Sequence, residues 1–191
     1  CLMRLKDKLT FIVCSQKPYN FTKEFDGFTC INPLQTISCL HELHLVQCDV
    51  ILNQVKTEYY IVHDDDDPFP TIPNFEIEKD VGIVYGENIT IKDGVEARHM
   101  NRKWREQTHR NFPNVVHKAI CHTEYSKEIL RPVIDEDILT HWWLHYHLMK
   151  DYNHQYVQGL DIPWVENIGI VSKMTNIPIE NTRKLLHKRY G

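Results

Sequence analysis

Tyr59-Tyr60-Ile61-Val62-His63-Asp64-Asp65-Asp66-Asp67 is the stretch that decides the fold. Its aromatic and β-branched half reads as a buried strand, and four carboxylates follow with no spacer. Carboxylates fixed side by side at a strand end repel one another, and a cation offsets that cost. An all-oxygen donor set suits Mg2+ or Mn2+, which then bridges to substrate phosphates. A solvated acidic turn or a Ca2+ loop is the plainer alternative. Pro68, Pro70 and Pro73 follow and mark an irregular segment.

Working outward, Leu9–Cys14 is a second short apolar run, ending in the polar turn Ser15-Gln16-Lys17-Pro18-Tyr19-Asn20. A third strand spans Gly27–Pro33. Apolar positions Ile37, Leu40, Leu43, Val46, Val50, Ile51 and Val55 give residues 36–57 a helical period. Downstream, Val81–Tyr85 reads as a strand, and Ile89–Ile91 and Val95–Ala97 flank Lys92-Asp93-Gly94 as a hairpin. Val115–Cys121 is another strand and Ser126–Leu130 a short helix. A longer helix runs from Ile138 to about Tyr152, and a last one starts at Pro178. Alternation of strands and helices in the first half predicts an α/β three-layer sandwich with a mostly parallel central sheet. Residues 1–191 read as one domain. In such sheets ligands sit beyond the carboxyl ends of the strands, where Ser15–Asn20 and Asp64–Asp67 fall.

Composition narrows the partners. Net charge is −4, yet residues 98–110 and 183–189 each carry +4, leaving −12 on the other 171. An acidic body with two basic patches suits an anionic ligand. Arg98, Arg102, Arg105 and His109 share one face if 98–110 is helical. No apolar run reaches the ~18 residues of a membrane span, and Cys1–Thr10 lacks the apolar stretch of a signal peptide. Six cysteines without a C-x-x-C pair predict reduced thiols in a cytoplasmic protein. Cys14 and Cys121 have no matched histidine and acid, so neither reads as a nucleophile.

Asp135-Glu136-Asp137 opens the helix at Ile138. Acids there complement the helix dipole, or one of them serves as a general base. Trp104, Trp142, Trp143 and Trp164 suit either core packing or stacking on a sugar or base.

The order of these motifs resembles the nucleotide-sugar glycosyltransferases of the GT-A fold, especially the inverting family two. Phe11–Asn20 looks like the family's first strand and polar turn, and Tyr60–Asp67 like the strand that delivers its Asp-x-Asp motif. Val81–Gly86 resembles the following strand. Glu136-Asp137 with Leu139, Trp142, Trp143 and Leu144 resembles its acidic pair at a helix start. The likeness covers roughly residues 9–150. The chain departs from the family at Ile31-Asn32-Pro33, where the acid for uracil and ribose is missing.

The resemblance implies a UDP-sugar donor and a Mn2+ or Mg2+ ion. Ser15, Lys17, Tyr19, Asp64 and Asp65 would bind the donor. The acid run offers two registers, Asp64/Asp66 and Asp65/Asp67, and its spacing from the strand favours Asp64 and Asp66 as metal ligands. Asp137 would be the catalytic base of an inverting displacement. Compact transferases of this look include bacteriophage enzymes that decorate hydroxymethylated DNA bases. The basic patches fit such an acceptor, with a polysaccharide or small molecule as its competitor. A metal-dependent nucleotidyltransferase and a non-catalytic Ca2+ module are the alternative classes.

Overall fold

The computed structural model describes residues 5–15, 17–33, 40–92, 95–99, 118–133 and 141–165. Strands are β1 (Leu9–Cys14), β2 (Thr29–Ile31), β3 (Tyr59–Asp64), β4 (Val81–Lys92), β5 (Val95–His99), β6 (Ile120–His122) and β7 (Asn153–Val165). Helices are α1 (Leu40–Asn53), α2 (Thr123–Leu130) and α3 (His141–Asp151). The class is α/β, and one seven-stranded sheet runs β2-β1-β3-β6-β4-β5, with β7 also paired to β4.

The sheet is mixed. β1 pairs in parallel with β2 and β3, and β4 with β7; β6 is antiparallel to both β3 and β4, and β5 to β4. Strands β1, β2, β3, β4 and β7 therefore share one direction, with the short β6 inserted against them. The sequence does not reveal this reversal, because a fully buried apolar run reads alike in either direction.

Burial follows the two faces of the strands. On one face Ile12, Tyr60, Ile83 and Cys121 meet Val50 and Ile51 of α1, Leu130 of α2 and Leu144 and Leu148 of α3. On the other, Phe11, Val13, Ile61, Val84 and Ile120 are covered by Phe25 and by Phe28, Phe69, Ile72 and Phe75 from irregular segments. A 3-10 turn at Lys23–Phe25 belongs to that cover. Helices α1, α2 and α3 thus lie on one face, while the described cover of the other comes from irregular segments, the 3-10 turn and Leu5. Phe11 of β1 packs into that cover, edge-on to Phe25 and Phe28 and stacked on Phe69 at 5.3 Å. Edge and offset contacts of this kind add to plain area burial.

The hairpin expectation is met in register, since Lys92 pairs with Val95 and Ile89 with Arg98. Arg98 accordingly lies on strand β5, which removes the first member of the helical basic stripe. Arg102, Arg105, His109, the 183–189 patch, Trp104 and the helix from Pro178 lie outside the described residues, as do the side chains of Arg98, Trp142 and Trp143. No helix among the described residues is long and apolar enough to cross a membrane.

Strand β7 has no counterpart in the sequence reading. Its pairing with β4 jumps from Tyr85–Tyr156 to Glu87–Asp161. The residues between bulge out through Gly159, whose φ of 83° favours glycine. A strand broken by Gly159 and Pro163 loses the alternation by which strands are recognised.

Candidate functional site

β2 lies on one side of β1 and β3 on the other. Connections therefore diverge at β1, which makes the carboxyl ends of β1 and β3 the place where open α/β sheets form a ligand crevice. Parallel register puts Cys14 beside Asp64, so the residues that follow each strand meet there. The Asp65 N–H donates to the Cys14 carbonyl at 3.2 Å. The Ser15 hydroxyl donates to Asp65 Oδ2 at 2.9 Å and accepts from the Lys17 N–H at 3.2 Å. Tyr19 is half-buried beside this turn, edge-on to Phe21 at 5.1 Å. Its hydroxyl is raised above its ordinary value by burial, then by Asp65 and Glu24. The structure thus places Ser15, Tyr19, Asp64 and Asp65 close together, with Lys17 exposed on the same turn.

The four aspartates have different surroundings. Asp65 and Asp66 are exposed, Asp64 is half-buried, and Asp67 is buried. Asp67 closes a turn by donating its N–H to the Asp64 carbonyl at 3.0 Å. Its Oδ2 accepts from the Asp64 N–H at 3.2 Å, and its Oδ1 from the Val165 N–H at 2.9 Å at the end of β7. A carboxylate committed to two backbone donors is an anchor, which counts against the Asp65/Asp67 register. Asp66 is raised above the usual carboxylate range by partial burial and by the charges of Asp64 and Asp65. Asp66 therefore lies in negative potential that a divalent cation would relieve.

Lys118 is a site residue the sequence reading missed. Antiparallel β6 begins where the parallel strands end, and this places Lys118 beside the acids. Its ammonium lies 2.8 Å from Asp64 Oδ2 and 3.2 Å from Asp67 Oδ2, almost wholly buried. Burial lowers its affinity for a proton, but Asp64 and then Asp67 outweigh that and hold it well above the ordinary lysine value. The signal was present in the sequence: a single lysine inside the apolar run Val115–Cys121 must find a partner if it is buried.

His63 occupies the opposite face of β3, 3% exposed, between Phe11 and Phe25. Its ring bonds the Asp67 backbone, while Nε2 has no hydrogen-bond partner among the described residues. Burial, and secondarily Lys118, pushes His63 down to about 4. A histidine whose native value lies below its unfolded value of about 6.5 stabilises the fold fully above that pH, and the contribution is lost as pH falls toward 4. Each unit corresponds to about 1.4 kcal/mol, so roughly 3 kcal/mol is at stake. Asp67, raised by burial against the pull of Lys118, works in the opposite direction over much of the same range. The test is therefore a difference: melting curves from pH 7 to 4.5 should fall less steeply for His63→Phe than for wild type. Parallel curves would remove His63 as the source.

Asp137, with Asp135 and Glu136, lies outside the described residues. Of the cysteines, Cys14, Cys30, Cys48 and Cys121 are free. Burial pushes the thiols of Cys14, Cys48 and Cys121 up to about 12 and that of Cys30 to about 11, so none is an activated nucleophile. Among the described residues, no group of three or more His, Cys, Asp or Glu side chains is arranged to hold a metal by itself. A metal at the strand end would need substrate oxygens to complete its shell, the usual arrangement for Mg2+ at phosphates. No protein-family profile matches the sequence, and no curated protein matches it significantly.

Proposed function

We propose that this protein is a metal-dependent glycosyltransferase of GT-A type, moving a sugar from a nucleotide diphosphate to an acceptor hydroxyl with inversion. The observation that carries this reading is the meeting of Ser15, Asp64, Asp65 and the outward Asp66 at the switch point between β1 and β3. A site at that position, polar and acidic on one side and lined by Tyr19 and Phe21 on the other, suits a ligand with a diphosphate and a planar base. Asp64 and Asp66 would hold Mn2+ or Mg2+, consistent with an oxygen donor set whose negative charge exceeds the single Lys118. When bound, the metal supplies neutralisation of the departing diphosphate. Ser15 and Tyr19 would orient the nucleotide, and Asp137 would take the proton of the acceptor hydroxyl.

Thermal-shift measurement against UDP, GDP, CDP and their sugars, with and without Mn2+, tests the reading. At a hundredfold excess over Kd, a ligand stabilises by about 2.7 kcal/mol, equivalent to a rise of about 5–10 °C for a chain of this size. Asp66→Asn should lose the Mn2+-dependent part of that rise and keep the melting temperature of the free protein, because the Asp66 side chain is exposed. An unchanged Mn2+-dependent rise in the variant would remove Asp66 from the metal site. Absence of any nucleotide-dependent rise in wild type would overturn the proposal.

A further inference from the structure

Two carboxylates and one ammonium meet at the end of β3. Lys118 Nζ bridges Asp64 Oδ2 at 2.8 Å and Asp67 Oδ2 at 3.2 Å, and lies 3.5 Å from the Val62 carbonyl. Side-chain exposure is 8% at Lys118, 38% at Asp64 and 1% at Asp67. Asp67, the innermost member, has its Oδ1 tied to the end of β7, and Asp64 is the member that reaches solvent. Two carboxylates sharing one ammonium form a cation site whose occupant is a side chain. A buried ion this well partnered is costly to break, because removing one member leaves the others uncompensated.

We propose that Lys118 is a positioning residue: its ammonium is the resident cation of the Asp64–Asp67 pair and fixes the Asp64 carboxylate at the mouth of the crevice. Its consequence for ligand binding rests on the function proposed above, whereas the resident-cation role does not. With the charge of the inner pair halved from within, a divalent ion is left the outer side, toward Asp66. Lys118 thereby separates an internal, permanent counter-ion from the exchangeable one, and ties the segment entering β6 to the acidic turn, as Asp67 ties the end of β7.

The test is the melting temperature of Lys118→Met in Mn2+ or in NaCl of matched ionic strength, without nucleotide. Loss of a buried pair member in a chain of this size predicts a fall of about 10 °C in NaCl. Millimolar Mn2+ should recover half or more of the fall by entering the vacated pair, and wild type should gain less. Adding Asp67→Asn to Lys118→Met should abolish the Mn2+ gain and raise the melting temperature in NaCl above that of the single variant. A lysine that serves only for packing predicts no Mn2+-specific recovery, and that result overturns the proposal. Should Lys118→Met not fold, a folded double variant upholds the resident-cation role, and failure of both variants overturns it. A parallel titration of UDP with Mn2+ into Lys118→Met, below its transition, should show affinity down about tenfold. If UDP fails to bind wild type while the Mn2+ recovery is seen, the function fails and the role of Lys118 stands.

Discussion

Gly86→Ala should leave no cooperatively folded protein. Gly86 lies in β4 at the point where the pairing with β7 changes register. A methyl group added there would fall on the Leu160 carbonyl oxygen, with the Leu160 carbonyl carbon at 2.7 Å and its Cβ at 2.8 Å. The obstacle is backbone, and the Leu160 side chain is fully buried in the core with Val157 and Ile162. Relief therefore means moving β7 away from β4, the longest pairing in the sheet. A cost above about 4 kcal/mol is in the range reserved for such mechanisms, against a total stability of roughly 5–15 kcal/mol. Gly159→Ala is the natural comparison. Its Cβ would meet only Pro73 at 3.8 Å, so the penalty there is the φ of 83° alone, about 1–2 kcal/mol. Urea melts should show a cooperative transition for Gly159→Ala and none for Gly86→Ala. Equal midpoints would show that β7 can shift, and that the close approach at Gly86 does not hold the sheet.

The parts of this fold that were legible in the sequence are those where the local pattern is also the global one. Leu9–Cys14 and the acidic strand at Tyr59 are apolar runs buried on both faces, and their ends fall as the punctuation by polar residues predicts. The hairpin at Lys92 was announced by its turn residues. Direction and partnership were not legible. β6 is three residues long, and nothing in Ile120-Cys121-His122 distinguishes an antiparallel insertion from a parallel strand. β7 was hidden by the glycine and proline that build its bulge. At the site, Ser15 and Asp65 could be inferred from strand ends alone. Lys118 could not be paired with Asp64, because that contact spans 54 residues and depends on the reversed direction of β6.

Asp137→Asn should lower turnover by about 10²–10⁴ while leaving donor affinity unchanged. That loss, about 2.7–5.4 kcal/mol of barrier, is the contribution of a positioned general base. The residue is assigned by resemblance, and the fold supplies a limit on where it can act. Leu144 and His145 of α3 line one small cleft with Tyr60 and Val62, two residues short of Asp64. Asp137 precedes His141, the first residue of α3, by only four positions, which an extended chain spans in at most ~14 Å. Helix α3 thus enters near the carboxyl end of β3, within reach of the crevice. The rate can be read without knowing the acceptor, as release of free nucleotide diphosphate when water takes the sugar. A base that serves the acceptor hydroxyl also serves this water, whereas the role proposed for Asp66 is on the donor side. Asp137→Asn should therefore keep the Mn2+-dependent thermal shift that Asp66→Asn loses, and lose the hydrolysis. Hydrolysis at the wild-type rate would move the base to Asp135 or Glu136, and loss of the thermal shift would place Asp137 on the donor side instead.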